Sequence, residues 1–127
     1  VAKSYEDLVT EARQLLQDTN PDISERFTDA FLINQLNRGL QELGRIRPDA
    51  FIDLFDRNSL NVPEVIESGT PVAPQVIWTD DIQFEGLFYT PLVFYITGSS
   101  EITDDEFTMD GRAGLLLGQF KATVIGI

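Results

Sequence analysis

Residues 27–51, FTDAFLINQLNRGLQELGRIRPDAF, constrain this chain more than any other stretch, because start, periodicity and end all specify one helix. Thr28 has an N-cap side chain, Asp29 puts negative charge in the first turn, and Phe27 and Leu32 occupy the two positions of a hydrophobic staple. Ile33, Leu36, Leu40 and Leu43 then recur at three- and four-residue steps, while Asn34, Gln35, Arg38, Gln41, Glu42 and Arg45 take the remaining surface. Arg45 and Arg47 set positive charge against the carbonyl end of the dipole. Pro48 turns Arg47 away from helical geometry, so the pattern predicts a helix that stops at Ile46 or Arg47.

Such a stripe needs apolar partners. Residues 4–18 predict one: Ser4 as N-cap, Glu6 and Asp7 in the first turn, and Leu8, Ala12, Leu15 and Leu16 on one face. Turn formers around Pro21 make residues 18–24 a short loop, so the chain opens as a helical hairpin. We expect Leu8, Ala12, Leu15, Ile33, Leu36, Leu40 and Leu43 to share one core, joined by Leu116 and Phe120.

The middle of the chain is less regular. Residues 50–55 fit a short helix or a strand, with helix or turn preferred, and residues 58–74, carrying Pro63, Gly69, Pro71 and Pro74, suit an extended loop without regular pairing. Residues 75–78 and 83–88 are short β-prone runs around Thr79, Asp80 and Asp81, predicting a small hairpin. Thr90-Pro91 reads as a helix start, yet the run LVFYIT is an equally good core strand, and the residues leave both open. Ala113, Leu116, Leu117, Phe120 and Val124 fall at helical spacing and predict a final helix, weakened by Gly111, Gly114 and Gly118.

With 127 residues, 43% of them hydrophobic, the chain can bury one ordinary core, so a single domain is expected. It has neither Cys nor His, which removes disulfides, thiol nucleophiles, ordinary zinc sites and the commonest general base. Neither a catalytic site, a metal nor a cofactor is predicted. No apolar run reaches the ~20 residues that span a bilayer, and VAKSYEDL lacks a signal-peptide layout, so a soluble intracellular protein without membrane contact is expected. Nine basic against twenty-one acidic residues give a net charge of −12, which works against gripping a phosphate backbone.

Asp104, Asp105, Glu106 and Asp110 lack the alternating ligands of a calcium loop and read as a solvated cluster before a helix; Asp80 and Asp81 read alike. Gly111, Gly114 and Gly118 are not followed by the Lys-Ser or Lys-Thr of a phosphate loop and are expected to allow close helix packing. Arg38, Arg45 and Arg47, with Trp78, are candidates for a subunit interface, against the alternatives of ordinary surface pairing for the arginines and core packing for Trp78.

Three stretches point further: LLQD at 15–18, LINQLNRGLQELGRIRPDAF at 32–51, and the Arg112-Ala113 pair ahead of Phe120. In these, and in the order of its elements, the chain resembles the head-to-tail adaptor (head completion, or connector) proteins of tailed bacteriophages. The most specific block is 32–51. The resemblance implies a mainly α small helical bundle, with helical core at 4–47 and about 90–124, an irregular, partly β insertion at about 56–89, and a C-terminal helix or extended arm; it tips residues 90–98 towards helix. It also implies a non-enzymatic virion component that is present in the host cytoplasm during assembly. Such a component forms a homo-oligomeric ring, commonly twelve-fold, beneath the portal protein, extends the DNA channel and seats the tail or nozzle protein.

The resemblance also suggests that the C-terminal segment reaches the portal; because that segment is apolar, glycine-weakened and terminal, it is expected to order fully only when docked there and to be dispensable to the bundle, with Arg112, Phe120, Lys121, Ile125 and Ile127 as candidate portal contacts. Asp80, Asp81, Asp104, Asp105 and Glu106 become candidates for an acidic wall past which genomic DNA slides without specific binding. The alternative is a free-standing acidic interaction or regulatory module built as a helical bundle.

Overall fold

In the computed structural model, which describes residues 3–16, 27–54, 62–72, 75–82, 84, 86–103 and 110–126, the first two helices form where their caps place them. Helix α1 (Tyr5–Leu15) opens on a reciprocal capping box. The Ser4 hydroxyl accepts from the Asp7 backbone N–H at 3.2 Å, and the Ser4 N–H donates to Asp7 Oδ2 at 2.8 Å. Helix α2 (Asp29–Ile46) opens at Thr28, whose hydroxyl accepts from the Phe31 N–H at 3.1 Å, and closes at Arg47, which leaves helical geometry (φ −133°, ψ 77°) ahead of Pro48. Arg13 donates to the Phe27 carbonyl at 2.8 Å and to Asp29 Oδ1 at 2.6 Å, tying the end of α1 to the start of α2. The connection expected at 18–24 lies outside the described residues. After α2, Pro48–Leu54 forms two 3₁₀ turns broken at Phe51 (φ −114°, ψ 27°), and Ala50 and Phe51 are buried in the core.

The middle of the chain differs from expectation in its pairing. Strands β1 (Glu64–Ile66) and β2 (Gln75–Ile77) form a parallel two-stranded sheet with Glu64 opposite Gln75, Val65 opposite Val76 and Ile66 opposite Ile77. Part of the loop expected to be unpaired is therefore a strand, and β2 pairs with it, while residues 86–88, in the second run expected for the hairpin, are not a strand. The turn at 79–81 does form: the Asp80 N–H donates to the Ile77 carbonyl at 2.9 Å, and Asp80 Oδ2 accepts from the Ile77 N–H at 3.1 Å. Beyond it the chain joins α1. The Ile82 N–H donates to the Lys3 carbonyl at 2.9 Å, Ser4 bridges Asp81, and Gly86–Phe88 is a 3₁₀ turn.

The reason is the unsatisfied N–H groups that every helix start presents. Tyr5 and Glu6 donate to the Asp80 and Trp78 carbonyls at 3.3 and 2.7 Å, so this turn is held by α1. Parallel pairing remains possible with only residues 67–74 between the strands because each strand is three residues long and the return is short; Gly69, at φ 110°, takes a conformation that glycine adopts without strain. Asn37 of α2 then clamps β1, its side-chain amide donating to the Val65 carbonyl at 3.0 Å and accepting from the Val65 N–H at 2.7 Å. Asn37→Ala leaves both backbone groups unpaired and is expected to cost about 1–3 kcal/mol. Amide exchange at Val65 should rise with it, and unchanged exchange would show that the clamp is not what holds the strand.

The run LVFYIT is helical, within α3 (Tyr89–Thr103), because it is enclosed. Leu92, Val93, Ile96, Thr97 and Ser100 are buried, and α3 touches α1, α2 and α4 (Asp110–Gly126). A helix apolar on every side belongs between other helices. Thr97 satisfies its hydroxyl by donating to the Val93 carbonyl at 2.9 Å. The centre of the fold is thus shared by α2 and α3, and Gly39 sets their approach: a Cβ there would lie 2.9 Å from Tyr95 Cδ1 and 3.2 Å from Leu92 Cδ2. Gly39→Leu is expected to destabilise by about 1–3 kcal/mol through overpacking, read as a lower urea midpoint; an unchanged midpoint would show that the helices separate freely.

The observed core contains Leu8, Ala12, Ile33, Leu36, Leu40, Leu43 and Phe120 as expected, together with Tyr5, Val9, Phe88 and Val124. Two positions differ. Leu15 is 37% exposed, because Tyr5, Leu8, Val9, Ala12 and Leu16 centre the α1 stripe and leave Leu15 at its margin. Leu116 is only partly buried on α4. Gly114 and Gly118 face open space, so the close-packing role expected of them belongs to Gly39. The chain is mainly α, with a small β insertion, and no helix among the described residues is long and apolar enough to cross a membrane.

Candidate interaction groove

Three helices meet along an open groove of about 400 Å³, each contributing residues at helical spacing. Arg38, Glu42 and Arg45 come from α2, Tyr95, Ser99 and Ile102 from α3, and Leu117, Phe120 and Lys121 from α4. The Tyr95 and Phe120 rings meet edge to face at 5.1 Å and give the groove an apolar part. Ser99 donates to the side-chain oxygen of buried Gln35, a polar link between α3 and α2 that the helical periodicity of neither segment signals.

The groove's charge is opposite to the chain's. Three cations stand against one carboxylate on a molecule of net charge −12. Arg45 grips Glu42 with both ends of its fork, Nε to Oε1 at 3.1 Å and Nη2 to Oε2 at 2.8 Å. That bond holds the Glu42 carboxyl below its ordinary range despite an opposing desolvation, with the charges of Arg45 and Lys121 assisting. Burial raises the Tyr95 phenol, and the negative charge of Glu42 adds to it while Arg38 opposes it. Arg38 and Lys121 are exposed.

The structure thus brings together four of the expected site residues, Arg38 and Arg45 from the candidate subunit interface and Phe120 and Lys121 from the candidate portal contacts. Arg47 is not among them. Its guanidinium donates to both Asp49 carboxylate oxygens, at 2.9 and 2.8 Å, and to the Val124 carbonyl at 2.9 Å, and it stands 5.7 Å over the Phe88 ring. Arg47 therefore locks the end of α2 to the end of α4, and its hydrogen bonds hold the Asp49 carboxyl below the usual range.

Phe120, expected as an anchor for a partner, is 1% exposed and belongs to the core. Its place on the α4 stripe turns it inward against Tyr95. Trp78 is half-buried and packs against the core beside the Asp80 turn. Asp80 and Asp81 are exposed there, away from the groove residues in sequence and in element. Ile125 is 67% exposed. The Arg112 side chain, Asp104, Asp105, Glu106 and Ile127 lie outside the described residues.

No family model, curated protein or solved structure matches this chain. Its reading rests on its own residues. Among those, Glu42 was the groove member within reach of sequence, since Arg38, Glu42 and Arg45 fall at i, i+4 and i+7 on a predicted helix; Tyr95, Ser99, Ile102 and Leu117 needed the packing of α3 and α4.

Proposed function

We propose that this chain is a structural ring component of a tailed-bacteriophage neck, seated under the portal, extending the DNA channel and presenting the surface on which the tail or nozzle is built. The observation that supports this reading is where the groove sits. Arg38, Glu42 and Arg45 all come from the 32–51 block that carries the adaptor resemblance, and they put on its exposed side a cationic, partly apolar surface suited to protein contact. The portal contact is assigned to the exposed end of α4 around Ile125.

The chain's role towards DNA is passive. At −12, it lacks the cation surplus that would release counterions from a duplex. No duplex binding is expected from the isolated protein even at low ionic strength; binding that weakens steeply with added salt would refute the passive wall.

The role itself is tested by mixing the protein with portal rings and imaging by negative stain. The expected result is a second ring of density on the portal. Undecorated portals, with a protein that stays monomeric, would favour the free-standing acidic module instead.

A further inference from the structure

The groove has a counterpart of opposite sign on the same chain. Asp80 and Asp81 are exposed on the turn that the start of α1 holds, and Glu6 and Asp7 of the first turn of α1 add two partly exposed carboxylates. Lys3 lies in this region, but its ammonium is directed at Glu11, 3.9 Å away, and over the Tyr89 ring at 5.6 Å.

We propose that the groove of one copy receives the Asp80 and Asp81 edge of a second copy, head to tail; the identity of this occupant rests on the ring reading above. Charge selects the occupant. Copies carrying −12 repel one another in most approaches, and the approach that sets Arg38, Arg45 and Lys121 against a carboxylate edge replaces that repulsion with attraction. The apolar surface of Tyr95 and Leu117 supplies contact area once the charges have set the register. Groove and edge are different surfaces, so the contact is heterologous and repeats from subunit to subunit, and it makes a ring when the rotation between neighbours closes. This assignment takes Asp80 and Asp81 off the channel wall and places them between subunits.

Charge reversal tests it in two full-length variants. One carries Arg38→Glu and Lys121→Glu; the other carries Asp80→Lys and Asp81→Lys, with Asp81→Lys alone as the milder form because Asp80 also closes its turn. Circular dichroism melts establish that each is folded. Self-association is measured by sedimentation at low ionic strength, with and without portal rings. Each variant alone should assemble at least about tenfold more weakly than the parent, since like charges now face each other. An equimolar mixture should recover assembly, because each altered surface meets its complement on the other variant. Variants that assemble as the parent does, or a mixture no better than its components, overturn the proposal while leaving the ring reading intact. A parent that assembles under neither condition overturns both.

Discussion

A chain ending at Leu117 is expected to lose its cooperative melt. The removed half of α4 carries Phe120 and Val124, both in the core, and the Val124 carbonyl that accepts from Arg47. A buried Phe truncated to Ala costs about 3–5 kcal/mol, and a hydrogen bond to a charged group is worth about 1.5–3 kcal/mol. Together these approach the ~5–15 kcal/mol that holds an ordinary domain folded. The closing segment is therefore part of the fold, contrary to the expectation from its glycines and its terminal position that the bundle does without it. Point variants grade the effect: Phe120→Ala should cost about 3–5 kcal/mol in urea titrations followed by far-ultraviolet circular dichroism. Ile125→Ala, on the exposed side of the same helix, should stay within about 0.5 kcal/mol of the parent. A truncated chain that melts like the full one would show that α4 is peripheral to stability.

Leu36→Ala and Leu40→Ala are each expected to cost about 2–5 kcal/mol, the range for emptying a large apolar side chain from a packed core. Both leucines are fully buried, one turn apart on the stripe of α2, and Leu40 adjoins Gly39, where α3 comes closest. Neighbouring cavities merge or collapse together, so the double variant should depart from the sum of the two. Leu15→Ala, at the margin of the α1 stripe, is the contrast and should cost clearly less. If Leu36→Ala and Leu40→Ala both melted like the parent, the stripe would not be the centre of the core.

These effects divide as the physics of the chain does. What sequence determined alone is local: the Ser4 and Thr28 caps, the stop at Arg47 before Pro48, the α2 stripe, and the existence of a final helix. Each depends on groups within about one helical turn of each other, so residue type and spacing suffice. Only tertiary structure decided that residues 91–97 are helical, because their β-branched side chains are indifferent until other helices enclose them. It likewise decided that β2 pairs with β1 in parallel while the following turn serves the open N–H groups of α1, a competition between partners far apart in sequence. The groove belongs to that second class. Arg38 and Lys121 become neighbours only when α4 lies beside α3 and α2, so this gathering of positive charge on an acidic chain is a product of packing that the spacing within α2 shows only in part.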